Sequence, residues 1–355
     1  MKKILFIAAV ALAAAACSKT YNVGPESQKA IGFTSWNDVM TKADKTAFVN
    51  DDVIEVYGYK HNNGANKTTV FDDVDVKYNG SSWTYSPARF WDSNFDNYTF
   101  YAVYPKDVLS AADAQTGIFT TNELTYDGEN EQLLIAKETP VAKASYGSAV
   151  NLVFKHLASK IDIRVKKHSE ISDVKLTVNS ISLNNLQTKG YFTVASYDAS
   201  SHEPVGAWTK ASTPVLNDNS ATPYKSTTAV ELAAGTGTST ATAGALISNL
   251  IAMPQDLTTG TGAQSITINY TLTTGTTGNE DSVTYNTTFE IGQFDSTDPD
   301  PTDKDNTAPF ISSWVPGVHY TYYITVNAQN KITFTADIDA WTTATDITGH
   351  HYVIL

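Results

Sequence analysis

The chain has 355 residues, with 24 Lys and Arg against 37 Asp and Glu, for a formal net charge of −13. That sign repels a phosphate backbone, which argues against nucleic-acid partners, and any membrane contact must come from acyl chains and not from charge. An apolar share of 41%, with 19 Tyr, 14 Phe and 6 Trp among abundant Thr, Val and Ile, excludes disorder and favours half-buried strands.

The chain opens with Lys2 and Lys3, followed by an apolar run from Ile4 to Ala16 and then Cys17, the only cysteine. A basic start, a short apolar stretch and small residues form a secretory signal, too short to span a bilayer as a helix. Leu12 to Cys17 resembles a bacterial lipobox, which predicts a signal peptide over 1–16 and a diacylglycerol and N-acyl lipid (palmitate among its chains) on Cys17. Ordinary cleavage near Ala16, leaving a free thiol, is the alternative. Ser18, not Asp, follows the cysteine, which by the enterobacterial sorting pattern favours the outer membrane. With no second cysteine the fold rests on core packing alone. Residues 17–29 read as a polar, lipidated tether.

Ile31 and Phe33 stand two apart in an extended segment. "DDVIEVYGYKHNNGANK" reads as a strand from Val53 to Tyr59 and then an Asn- and Gly-rich turn. "DVKYNGSSWTY" places a turn at Asn79-Gly80 between two extended pieces. In "NYTFYAVYP", Tyr98, Phe100, Ala102 and Tyr104 share one face and Tyr101 and Val103 the other, which predicts a strand buried on both sides that ends at Pro105. "NEQLLIAKE" fits a short helix or a strand. Within "AVNLVFKHLASKIDIRV", Val150, Leu152 and Phe154 have one parity and Ile161, Ile163 and Val165 the other. A strand cannot change face without a bulge or bend, so the phase slips near His156–Lys160, and we set the domain boundary close by.

Ile266, Ile268, Tyr270 and Leu272 alternate, as do Val283, Tyr285, Phe289 and Ile291, which predicts a hairpin with a long loop. Tyr320, Tyr322, Ile324 and Val326, then Ile332, Phe334, Ala336 and Ile338, predict two antiparallel strands joined at "NAQN". Many short alternating strands between turns mean an all-β chain of antiparallel β-sandwich domains, divided as 30–147 and 148–355.

Catalytic signatures are missing: the sequence holds no G-x-S-x-G, H-E-x-x-H or phosphate-loop motif. We read it as no enzyme, with neither a metal nor a dissociable cofactor. "GTGTSTATAG" lacks the lysine of a phosphate loop and reads as a flexible loop. His350 and His351, as strand neighbours, point to opposite faces, a poor metal pair. His156 reads as a structural residue at the bend. The loop Asp295–Asn306 collects five aspartates and two prolines, and can offer oxygens to Ca²⁺, but has no glycine at the turning position and no closing glutamate. Trp83, Trp91, Trp208 and Trp314 fit either core packing or a sugar-stacking platform.

In order along the chain, the lipobox, "GFTSWNDVMTKA", "FVNDDVIEVYGY", "WTYSPARFWDSNFDNYTFYAVYP", "LVFKHLASKIDIRV", "IAMPQDL" and "WVPGVHYTYYITVNAQNKITFTADIDAWT" resemble the fimbrillin family of Bacteroidetes, subunits of lipoprotein-derived type V pili. The resemblance implies two transthyretin-like β-sandwich domains in tandem and a structural role in a fimbria that supports adhesion. It implies a lipid-anchored, surface-exposed location at the cell outer membrane. Its partners would be other pilus subunits or copies of this chain, with a receptor on host or bacterial surfaces. A protease removes an N-terminal strand and a neighbour's strand fills the groove, which is β-augmentation. Here the displaced strand would carry Ile31, Phe33 and Trp36, and the donor would be the tail with Tyr352, Val353, Ile354 and Leu355. Processing in the family commonly follows an arginine, yet this stretch offers Lys42 and Lys45 and the first arginine is Arg89. A monomeric surface lipoprotein that binds a glycan through exposed aromatics is the alternative reading.

Overall fold

The computed structural model describes residues 29–37, 48–63, 65–126, 133–235, 243–292, 311–327, 332–340 and 351–354. Cys17 and its signal peptide, Lys42, Lys45, the Asp295–Asn306 loop, His350 and Leu355 lie outside the described residues. Strands are numbered along the chain, and among the described residues the only helical pieces are two 3₁₀ turns, Lys143–Ser145 and Ser169–Ile171.

The first sheet runs in spatial order β1 (Phe33–Asn37), β11 (Val150–His156), β9 (Leu134–Ala136), β5 (Asn97–Tyr104), β2 (Val53–Asn62), β3 (Ala65–Tyr78) and β4 (Trp83–Thr84), with β10 (Thr139–Ala142) also on β5. A second sheet orders β15 (Pro204–Lys210), β14 (Lys189–Tyr197), β7 (Ile118–Thr121) and β6 (Leu109–Asp113), with β8 (Leu124–Thr125) on β14. The third orders β18 (Gly244–Ala252), β12 (Ser159–Lys167), β23 (Val318–Val326), β24 (Ile332–Ala340) and β25 (His351–Ile354). In the fourth, β16 (Lys225–Ser226), β13 (Lys175–Asn184), β20 (Ser265–Thr276) and β21 (Asn279–Glu290) follow one another, with β17 (Val230–Leu232) on β13. A short pair, β19 (Gln255–Asp256) and β22 (Ser313–Trp314), completes the set. Pairing is antiparallel except for β1 with β11 and β12 with β23.

Alternation along the strands explains three cores. On β5, Tyr98, Phe100 and Ala102 enter a cluster on the inner face of the first sheet with Ile54, Val56, Phe71, Leu152 and Phe154. Tyr101 and Val103, pointing the other way, join Tyr57, Phe119, Phe192 and Val194 between the first and second sheets. This strand is buried on both faces, as its composition predicts. The third core holds Ile161, Ile163 and Val165 against Ile266, Ile268, Tyr270, Tyr320 and Tyr322, between the third and fourth sheets.

The parity change near His156 has a simple cause: β11 ends in the first sheet at His156 and β12 begins in the third at Ser159. Between them the Leu157 N–H donates to Leu133 O at 2.9 Å and Ala158 O accepts from Gly317 N–H at 2.8 Å. The sheets also interleave along the chain, since β14, with β15 on its other edge, pairs with β7 and β8 although it follows β12 and β13. Of the two readings for "NEQLLIAKE", the described part is a strand, β9.

One expectation is corrected. The hairpin of β20 and β21 has no long loop: Thr276 pairs with Asn279, so only Thr277 and Gly278 turn the chain. Gly278 takes φ +93°, which a two-residue turn demands and a glycine supplies. The Gly-rich and acidic residues read as a loop are the outer ends of two long strands.

Candidate functional site

The N-terminal segment enters the first sheet at its end. β1 lies parallel to β11, with Phe33 opposite Val150 and Trp36 opposite Val153. Just before it, residues 29–31 meet 89–91: Ile31 N–H donates to Arg89 O at 2.9 Å and Trp91 N–H to Lys29 O at 3.1 Å. Side chains from the β4 region close the far side, where Tyr85 Oη donates to Ile31 O at 2.7 Å and Trp83 Nε1 to Ser35 Oγ at 2.9 Å. The segment is therefore held between β11 and the 83–91 stretch.

Its Ile31 and Phe33 side chains face inward. Ile31 is 2% exposed and Phe33 6%. Phe33 meets Phe71, Tyr85 and Phe100 edge to face, at centroid distances of 5.3, 5.9 and 5.7 Å. Thr34 faces outward. Without this segment the inner face would present Phe71, Phe100, Val150 and Leu152 along an unpaired edge of β11.

The chain's other end also forms an end strand. β25 pairs antiparallel with β24 in the third sheet, with Ile354 opposite Thr333, Val353 opposite Phe334 and Tyr352 opposite Thr335. The structure thus sets Phe33 and Trp36 on β1 of the first sheet, with Ile31 two residues before it, and Tyr352, Val353 and Ile354 together on one strand of the third. It does not bring the two segments into one ladder.

The buried titratable groups serve packing. Burial raises the Glu55 carboxyl, which accepts from the Asp107 N–H at 2.6 Å. Burial also pulls the Lys167 ammonium down, and its Nζ donates to the carbonyls of Ser172, Val174 and Ala233 at 3.1, 2.7 and 2.8 Å. His156 is lowered to about 4 by burial and by the charges of Lys160 and Lys155. Burial pushes Asp162 up, but bonds from His319 and the Asn249 N–H more than offset it, and the net shift is downward. Among the described residues no group of three or more His, Cys, Asp or Glu is placed to hold a metal.

The four tryptophans pack and do not form a platform. Trp91 is 5% and Trp314 1% exposed, Trp208 packs against Phe192 and Tyr126, and Trp83 against Phe48 and Tyr78. What sequence reasoning missed is the far wall of the first-sheet groove, Trp83, Tyr85 and Arg89. Their aromatic density was visible, but only the tertiary fold brings them to β1.

An all-β chain of packed sheets, with β1 and β25 laid as end strands, defines a sandwich-type protein. The fimbrillin-like family model matches residues 41–341, and the chain belongs to that family. No curated protein matches it. Among solved structures, it is similar to a candidate cell adhesion protein from Bacteroides uniformis at 17% identity, covering 88% of this chain and 98% of that one, TM-score 0.46. Another candidate cell adhesion protein, from Parabacteroides distasonis, is 10% identical over 92% and 95% of the two chains, TM-score 0.44. A fimbrial assembly protein from the same species is 12% identical over 88% and 96%, TM-score 0.36.

Proposed function

We propose that this chain is a structural subunit of a cell-surface pilus, lipidated at Cys17, carried to the outer membrane and assembled by strand donation. Cleavage after Lys42 or Lys45 releases β1 with Ile31, Phe33 and Trp36. The tail of a second subunit, through Tyr352, Val353, Ile354 and Leu355, then fills the groove between β11 and residues 83–91. Partners are other subunits or copies of this chain, and the finished fibre supports adhesion to a surface receptor. The observation that carries the reading is β1: an end strand that closes an aromatic core and is followed directly by the lysine-bearing stretch. Removing it leaves unpaired backbone on β11 and an apolar trough, which an extended segment satisfies at once. With Trp83, Trp91, Trp208 and Trp314 packed against aromatic neighbours, the described residues offer no observation that favours the glycan-binding alternative.

The test is to sequence the N-terminus of surface-extracted protein and to run it unheated on denaturing gels. Assembly by this route gives termini after Lys42 or Lys45 and a ladder of oligomers. A terminus at acylated Cys17 on every oligomer in the ladder would overturn the cleavage step. Monomers alone after cleavage would overturn the donation step.

A further inference from the structure

Among the described residues, the fourth sheet ends on a long strand with no further partner. β21 is twelve residues long and pairs with β20 from Ser265↔Glu290 to Thr276↔Asn279 without a register shift. Every second residue of such a strand turns its N–H and C=O away from its partner. Proteins normally blunt such edges with bulges, proline, charge or brevity. Other sheet ends here do so: β4 and β16 have two residues each, β15 opens with Pro204, and β6, β15 and β18 pair through shifted registers. From Ser282 to Phe289, β21 has no charge, no proline and no glycine. Its outer half is exposed, and Val283 is 49% accessible.

We propose that β21 is a homodimer edge, which joins the fourth sheets of two copies by antiparallel pairing about a two-fold axis at Thr284. Parallel pairing in register would set Asp281 against Asp281 and Glu280 against Glu280, like charges directly opposed. Antiparallel pairing centred on Tyr285 would set Glu280 against Glu290. Centring on Thr284 avoids both, since Glu280 then faces Thr288, Asp281 faces Thr287 and Ser282 faces Asn286. On one face Val283 of each copy meets Tyr285 of the other, which covers the exposed valine. On the opposite face a hydroxyl ladder already crosses β20 and β21, with Oγ–Oγ distances of 2.7 Å for Thr267–Thr288, 2.9 Å for Thr271–Thr284 and 2.9 Å for Thr273–Ser282. Pairing Thr284 with Thr284 of a second copy extends this ladder across the junction. The same patch serves both copies, the self-complementary geometry of a closed two-fold dimer. In an assembled fibre this edge would bind subunits side by side, apart from the β1 groove.

The test uses the full chain at physiological salt, where the repulsion of two acidic molecules is screened. In an antiparallel pair, residues opposite each other have Cα atoms about 4.5–5.5 Å apart, within disulfide range. Under mild oxidation Thr284→Cys should form on the order of tenfold more covalent dimer than the exposed control Asn219→Cys, because only an ordered contact holds two such residues at bonding distance. Ser282→Cys and Asn286→Cys should each fail alone and succeed when mixed. Adding Thr284→Pro to either partner should abolish that cross-link. Equal yields at all four positions would mean random collision and overturn the proposal. So would no dimer from Thr284→Cys, including the outcome in which residues 293–310 of the same chain shield the edge. Circular dichroism of each variant confirms that it has folded.

Discussion

Phe33 and Phe71 meet at a ring-centroid distance of 5.3 Å with planes 81° apart, so a residue near the start of the described chain closes a core built from strands far along it. Phe33→Ala removes that ring and leaves a cavity among Phe71, Tyr85 and Phe100. We expect a loss of about 3–5 kcal/mol, the usual range for a buried phenylalanine. Thr34→Ala, one residue on and exposed, should change stability by less than about 0.5 kcal/mol. Denaturant midpoints of the two variants check the contrast.

The tail makes a sharper demand on assembly than on folding. Deleting residues 351–355 removes only an end strand of the third sheet, and the rest of the sheet keeps its ladder from β18 to β24. We expect the truncated chain to fold, to be cleaved and to accept a strand from intact copies, while donating none. Mixed with intact protein, it should shorten the gel ladder in proportion to its share.

His156 should make the protein sensitive to mild acid. Burial holds its pKa at about 4, below the ordinary value of 6.5. Between those values the unfolded chain binds a proton that the folded chain refuses, so stability is full above pH 6.5 and falls as the pH drops to 4. The loss is at most roughly 3 kcal/mol. His156→Phe should flatten that part of the curve, and the difference between wild type and variant across the window isolates it from the carboxylates.

Lys167, fully buried, ties the carbonyls of Ser172, Val174 and Ala233 with one ammonium. Lys167→Met keeps the apolar stem and strands three acceptors. A loss of about 2–4 kcal/mol is expected. Hydrogen exchange should report it first in the turn at Ser169–Ile171 and at β17.

Gly117 stands at φ +68°, where a Cβ would lie 2.4 Å from the Tyr101 ring. Gly117→Ala therefore combines backbone strain with a clash. We expect about 1–3 kcal/mol of destabilisation and a change in the near-ultraviolet circular dichroism of Tyr101.

Much of the fold was legible one strand at a time. Tyr98 to Val103 announced a strand buried on both sides because Tyr98, Phe100 and Ala102 on one parity and Tyr101 and Val103 on the other leave neither face for water. Tyr320 to Val326 and Ile332 to Ile338 announced a hairpin because each keeps an apolar residue at every second position. The β20–β21 loop was misjudged for a related reason: Thr, Gly, Asn, Glu and Asp serve equally in a loop or on exposed strand ends, and only the register with β20 separates the two. Of the candidate site, the segments Ile31–Trp36 and Tyr352–Leu355 were readable as extended and apolar. Their neighbours were not.

By itself, then, the order of residues determined local matters: which stretches extend, which side chains turn inward, and that Phe33 belongs in a core. Tertiary structure alone decided which strands meet. It laid β1 parallel to β11, passed the chain from one sheet to another at His156, and, among the described residues, set β21 at the end of its sheet. The reason is physical. Side-chain alternation has a period of two and acts within a strand, whereas backbone hydrogen bonds between strands are chemically alike and carry no address, so partners are chosen only when all the cores pack at once.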